Sequence, residues 1–210
     1  HAALPRGAKL TQVREAMARH GATHHFISTV DDIAWLFNLR GADVSYNPVF
    51  LAHALLDASD TTLFVAVGKI SPGLCATLAR DNIRVAPYEQ AGSALAGLPD
   101  NATLLIDPRR ITFSLRANAS VKAIEAINPS TLLKSRKSEA EAAHIRAAMA
   151  QDGAACCEFY AWFEAALATG ERLTELTVDE HLSAARARRR LLVGLRFNTP
   201  IGPLALDVGY

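Results

Sequence analysis

Apolar strand-like runs alternate with helical patterns over the first two-thirds of the chain, which predicts an α/β layered domain with a mixed or largely parallel sheet. After Pro129 the character changes: two Ser/Thr-to-Glu capping signals introduce consecutive helices. With 210 residues, half of them hydrophobic, the chain can bury a sizeable core as one large domain or as one domain plus part of another.

In order, Ala8 to His20 carries Leu10, Val13 and Met17 at helical spacing and stops at Gly21. His24 to Thr29 reads as a short strand. Asp31 is expected to cap a brief helix through Phe37, with Asp32 in its first turn. Phe50 to Leu56 and Thr61 to Val67 are β-compatible runs joined by the turn-like Asp57-Ala58-Ser59-Asp60. Ser71-Pro72 opens a helix, with Ser as cap and Pro in the first helical position. Ile83 to Ala86 and Thr103 to Ile106 read as buried strands around a Gly- and Ala-rich helix. Thr131 to Lys137 reads as a basic, polar crossing segment. Ser138 then caps a long helix, with Glu141 completing a capping box and Gly170 ending it. Ile145, Met149, Cys156, Phe163 and Leu167 lie on or near one face of it, with Tyr160 beside them. Thr177 with Glu180 predicts a second box and a helix through about Arg190.

Composition excludes several classes. A net charge of +1 gives no electrostatic reason to expect a nucleic-acid or membrane partner, and no apolar stretch approaches the ~20 residues of a membrane span. Arg186, Arg188, Arg189 and Arg190 read as a charged helix end. The start lacks an initiator Met and a signal peptide, so a preceding segment is expected. Cys75, Cys156 and Cys157 are an odd number, two of them adjacent, which suits reduced thiols in an intracellular protein, Cys156 and Cys157 as small buried groups. His20, His24 and His25 form the densest histidine cluster, but no acidic residue close in sequence completes a metal site, and surface or strand-edge positions are expected. His53, His144 and His181 are isolated. Asp31-Asp32 suits either a general acid–base pair or a helix N-terminus, which by itself explains adjacent carboxylates. No phosphate loop or nucleophile elbow is present.

The run Thr29-Val30-Asp31-Asp32-Ile33-Ala34-Trp35-Leu36-Phe37-Asn38-Leu39-Arg40-Gly41, followed by Tyr46-Asn47-Pro48-Val49-Phe50, resembles the signature of the Xaa-Pro aminopeptidases. The likeness continues through Tyr88, Leu105-Ile106-Asp107, the segment from Gln151 to Glu164 and the stretch from Gly170 to Glu180. It implies a creatinase-N-terminal-like layered domain with a mixed sheet over residues 1–128. Residues 129–210 would then be the first helices of an incomplete pita-bread peptidase domain. The complete enzyme would remove an N-terminal residue preceding proline. It would use two divalent metals, usually manganese, held by two Asp, one His and two Glu further along. Carboxylates and imidazole suit such ions, and a metal pair generates hydroxide and polarises the scissile carbonyl. A cytoplasmic homodimer acting on peptides with proline in second position is implied as well.

At its end the sequence departs from that pattern. Val193-Gly194-Leu195 and Phe197-Asn198-Thr199 resemble the strand after the second helix, but Gly209 stands where an active-site His is expected. Either the register slips or Pro200 to Tyr210 is unrelated, as a truncated or frameshifted gene would produce. None of the five metal ligands carries over, Asp207 included, and no cofactor is expected in this chain by itself. Arg40 is the candidate substrate-binding residue: its guanidinium would line the substrate mouth or a dimer contact near it. The alternative is that Arg40 pairs with Asp43 or a loop carbonyl and fixes the turn. At the level of the whole chain, the alternative to a peptidase fragment is a noncatalytic relative serving as a binding or dimerisation module.

Overall fold

The computed structural model describes residues 4–44 and 47–189 and the backbone of Ala205–Leu206. In chain order the elements are α1 (Arg6–Arg19), β1 (His24–Ile27), α2 (Val30–Phe37), β2 (Leu39–Arg40), β3 (Ala52–Leu56), β4 (Thr61–Val65), α3 (Pro72–Ala79), β5 (Ile83–Pro87), a 3-10 turn at Tyr88–Gln90, α4 (Ala91–Ala96), β6 (Thr103–Ile106), α5 (Phe113–Asn118), β7 (Lys122–Glu125), α6 (Pro129–Ser135), α7 (Glu139–Thr169), α8 (Glu175–Arg188) and β8 (Ala205–Leu206). They fall into two compact units that divide between Arg136 and Lys137, β8 counting with the first. The readings of the tail from Val193 onward lie outside the described residues, the backbone of β8 excepted.

The first unit is built on a six-stranded sheet in the order β5-β4-β3-β1-β6-β7. Within it β3 runs antiparallel to β1 and β4, while β4–β5, β1–β6 and β6–β7 pair in parallel. The expected mixed α/β sheet is therefore observed. Helix α1 ends as read, with Gly21 at φ +70° beyond its last turn. The β3–β4 hairpin turns where the Asp57 carboxylate accepts the amides of Ser59 and Asp60, at 2.8 and 2.7 Å. Ser71 caps α3 through the Leu74 amide. One face of the sheet packs Ile27, Ala54, Leu63 and Leu105 against Leu10, Val13, Ile33 and Leu36 of α1 and α2. The other packs Phe26, Phe64 and Leu104 against Ala91 and Leu95 of α4.

Several expectations are corrected. Asp31 does not cap α2: the helix begins two residues earlier than that cap implies, with Thr29 at the cap position and both Asp31 and Asp32 in its first turn. Ile83 to Ala86 is not a fully buried strand, because β5 lies at the sheet edge and exposes Arg84. Thr131 to Lys137 is not a polar crossing. Most of it belongs to α6, whose first helical residue is Pro129 and which packs on α1 and α2. Elements α5 and β7 are too short, at six and four residues, to show a period in the sequence.

The second unit pairs α7 with α8. Ser138 and Glu141 form the expected capping box, and Gly170 at φ +72° closes α7. The next box lies one turn earlier than expected, with Thr174 and Thr177 in place of Thr177 and Glu180. The two helices bury only Ala155, Ala166 and Ala185. Between them Arg186 pairs with Asp152, and Arg188 and Arg189 pair with Glu158. Trp162 stacks on His181, ring centroids 3.5 Å apart. The basic cluster thus ends a helix, with its described arginines held by carboxylates of α7. Cys156 is half-buried and Cys157 exposed, so the expected burial of the pair is not found. Adjacent helical residues point about 100° apart, and only one of the two can turn inward. Among the described residues no helix is long and apolar enough to cross a membrane.

Candidate functional site

The block from Thr29 to Gly41 is organised around α2, which bears opposite charges at its two ends. At the carboxyl end three cations meet carbonyls of the last helical turn, two of which also accept from the Asn38 amide. Arg6 Nη1 donates to Phe37 O at 3.1 Å, Lys9 Nζ to Trp35 O at 2.8 Å, and Arg40 Nη1 to Ala34 O at 3.0 Å. Arg40 Nη1 also donates to Leu39 O at 2.9 Å. Asn38, at φ 52°, takes the left-handed cap position, where its Oδ1 accepts from Lys9 Nζ at 2.5 Å. The Lys9 ammonium also lies over the Trp35 ring, 4.4 Å from its centroid. Asp43 is engaged elsewhere, accepting from the Leu51 amide and the Lys69 ammonium. The Arg40 guanidinium is thus fixed on backbone carbonyls at the end of α2.

At the amino end Asp32 is fully buried. Its Oδ2 accepts from Thr131 Oγ1 at 2.5 Å and from Asn128 Nδ2 at 3.4 Å, and its Oδ1 lies 2.9 Å from Lys134 Nζ. Asn128 Nδ2 reaches Thr29 Oγ1 as well, at 3.2 Å. A carboxylate in the first turn favours the helix dipole, and a paired ammonium compensates its loss of water. Asp31 is exposed and meets only Asn47 among the described residues, at 3.4 Å. The two carboxylates therefore do not form an acid–base pair: one anchors α6 and the other faces solvent.

This anchor sits outside the carboxyl ends of β1 and β7, the edge where open α/β sheets usually hold a ligand. Here α2 and α6 occupy that edge. Buried beside them, Asn128 Oδ1 and Ser130 Oγ have no hydrogen-bond partner among the described residues, nor does His25 Nε2. His25 is not at a surface or strand edge. It is wholly buried in the central strand β1, its Nδ1 2.9 Å from Leu105 O. Loss of water on burial outweighs the carbonyl contact and the nearby Asp32, and lowers its pKa to about 4. His53 is buried between the rings of Phe26 and Tyr88, with Nδ1 2.9 Å from Ser28 Oγ. Burial lowers its pKa too. A depression of about 260 Å³ is lined by Ile127, Pro129 and Leu132 with Arg19, His20 and Arg136, without a carboxylate. Among the described residues no three His, Cys, Asp or Glu side chains converge as metal ligands.

The geometry accounts for the block: acids at the start of α2, cations at its end and a dedicated anchor on α6. The Creatinase/Prolidase N-terminal domain family matches residues 2–141. The chain belongs to that family. Over 205 residues it is 31% identical to a Colletotrichum graminicola protein named Probable Xaa-Pro aminopeptidase P, covering 91% of this chain and 33% of that protein. An Ajellomyces capsulatus protein of the same name is 32% identical over 220 residues, with 96% and 34% covered. The chain thus spans about a third of the length of these curated relatives. An X-prolyl aminopeptidase from Caenorhabditis elegans, described as a cytosolic enzyme with a di-nuclear active site, shares the fold. Its TM-score is 0.82 at 21% identity, over 89% of this chain and 31% of that one.

The sequence pointed to the α2 block and to Arg40. It missed Asp32 as a buried anchor, along with Asn128, Ser130, Thr131 and Lys134, because those partners lie nearly a hundred residues away. The one available signal was Asn128-Pro129, an Asn followed by a helix-opening Pro.

Proposed function

We propose that this chain is part of a proline-specific metalloaminopeptidase that removes an N-terminal residue preceding proline. The observation that carries this reading is the alignment of relatives named Xaa-Pro aminopeptidase P over 91% and 96% of the chain. On this reading residues 1–128 form the noncatalytic layered domain and residues 129–210 open the peptidase domain. Helix α6 is the entering segment, pinned by Asp32. The two divalent ions, manganese in this proposal, bind side chains outside these residues, and their part is to activate water and polarise the amide before proline. Arg40 stands at the substrate mouth or at a subunit contact beside it in a cytoplasmic homodimer. Its fixed guanidinium, held by two carbonyls, suits such a positioning role.

The 210-residue chain with manganese is expected to release no N-terminal residue from an Arg-Pro-Pro peptide, whereas the polypeptide extended by its downstream coding sequence releases it. Turnover by the short chain, or none by the extended one, defeats the proposal. In the extended enzyme, Arg40→Lys is expected to raise KM about tenfold with little change in kcat. An unchanged KM removes Arg40 from the substrate mouth.

A further inference from the structure

Four buried polar side chains come from β1, α2 and the start of α6: His25, Asp32, Asn128 and Ser130, none more than 1% exposed. Side chains alternate across a strand, so His25 shares the face of Ile27, on which α1 and α2 pack. Helix α6, which Asn128 and Ser130 open, packs on the same two helices. The Asp32 charge acts on the His25 ring, and Asn128 Nδ2 lies 3.4 Å from Asp32 Oδ2. Three atoms of this group have no hydrogen-bond partner among the described residues: His25 Nε2, Asn128 Oδ1 and Ser130 Oγ. The bonds around them fix their roles. A carbonyl can only accept, so Leu105 O takes the His25 Nδ1 proton and leaves Nε2 of the neutral ring an acceptor. Thr29 Oγ1 and Asp32 Oδ2 orient the Asn128 amide nitrogen, which leaves Oδ1 as a second acceptor. The Ser130 hydroxyl supplies one donor.

Two acceptors and one donor are the complement of a water molecule, which has two O–H donors and two lone pairs. We propose that a single buried water bridges His25 Nε2, Asn128 Oδ1 and Ser130 Oγ, donating to the first two and accepting from the third. Buried polar groups without a protein partner are where internal waters sit, commonly with three hydrogen bonds each. Leaving all three groups bare costs more than immobilising one solvent molecule. A cation suits the place less well, because the Lys134 ammonium already lies 2.9 Å from Asp32 Oδ1. Among the described residues the side chains of β1 hydrogen-bond only to Thr23 and Leu105. The water therefore supplies the polar link between this central strand and α6, the helix that Asp32 pins from α2.

The test reads water at the His25 ring of the 210-residue chain. Protons Hδ2 and Hε1 flank Nε2, and paired NOESY and ROESY spectra are expected to give them cross peaks at the water frequency with the sign of a long-lived molecule. An exchanging Ser130 hydroxyl would relay such peaks as well, and Ser130→Ala separates the two. The peaks persist there if water stays on His25 and Asn128, and vanish if the hydroxyl carried them. Oxygen-17 relaxation dispersion is expected to show the residence time shortened several-fold in the same variant, which has lost one of the three bonds. A crystal structure with ordered solvent is expected to show one water within about 2.7–3.2 Å of all three atoms, and it carries the test should Ser130→Ala disturb the fold. A direct bond from Ser130 to His25 or Asn128 with no water between, loss of the cross peaks in Ser130→Ala, or an unchanged residence time overturns the bridge.

Discussion

In the α/β unit the largest fully buried side chains include Phe26, Phe37, Phe50 and Phe64, with Leu10, Ile27, Ile33 and Leu36. In the α7–α8 hairpin the buried residues are three alanines, and the large apolar groups Ile145, Met149 and Leu167 face outward. Each unit holds helices with side-chain caps, Ser71 and Thr112 in the first and Ser138 and Thr174 in the second, so the contrast lies in burial. Burying a Leu or Phe side chain is worth roughly 1.5–3 kcal/mol, and an alanine methyl a fraction of that. The hairpin relies further on Arg–carboxylate pairs that remain partly exposed, and such pairs add little. The two regions teach that well-formed helices with good caps do not make a core.

The largest expected effect lies in the first unit. Phe37→Ala should lower its unfolding free energy by about 3–5 kcal/mol in urea titration, from lost transfer energy and the cavity left behind. Ala166→Gly in α7 should cost only about 1 kcal/mol, chiefly from backbone entropy. Equal losses would break the comparison.

Next comes the α2–α6 anchor. Asp32→Ala leaves Lys134, Thr131 and Asn128 around an emptied buried position and is expected to cost about 3 kcal/mol. Asp32→Asn should recover part of that. A loss below about 0.5 kcal/mol would mean that water replaces the anchor at no cost.

Acid sharpens the same contrast. His25 has its pKa lowered to about 4 in the folded chain from an ordinary 6.5. Between those values the unfolded chain binds a proton that the folded chain does not. The contribution is therefore whole above pH 6.5 and is lost as pH falls toward 4, by roughly 2–3 kcal/mol. His53, lowered by burial, acts in the same direction. His25→Gln should flatten the decline between pH 7 and 4.5 measured by urea unfolding. A parallel profile would remove the buried imidazole as its source.

The smallest effects compare like with like. Ser71 caps α3 and Ser138 caps α7, each through one side-chain oxygen and a backbone amide. Either Ser→Ala change should cost about 1 kcal/mol. Ser71→Ala is expected to lower the melting temperature of the first unit, whereas Ser138→Ala should mainly speed proteolysis beyond Arg136. Limited proteolysis of the unmodified chain should cut there first. A first cut within the first 128 residues would reverse the order of the two regions.

Local chemistry was legible wherever neighbours in sequence settle the outcome. The α1 periodicity, the Asp57–Asp60 turn, the Ser71 cap, the Ser138–Glu141 box and the left-handed Gly170 all follow from interactions spanning a few residues. The second capping box shows the limit of that reading. Thr177-x-x-Glu180 and Thr174-x-x-Thr177 are both acceptable starts, and the chain uses the earlier one. Elements shorter than about two turns, such as α5 and β7, carry no period long enough to detect.

By itself the sequence determined the layered α/β class, the helical second region and the family, since periodicity, caps and the Thr29–Gly41 block are properties of consecutive residues. Only the tertiary structure decided what the polar residues do. His25 is a buried imidazole because β1 lies in the middle of the sheet, an order no single strand encodes. Asp32 became an anchor because α6 returns to the carboxyl edge bringing Thr131 and Lys134, and Arg40 became a clamp because the carbonyl of Ala34 points at it. Long-range packing chooses each partner, so a carboxylate, a histidine or a guanidinium has no fixed role until the fold supplies its neighbours.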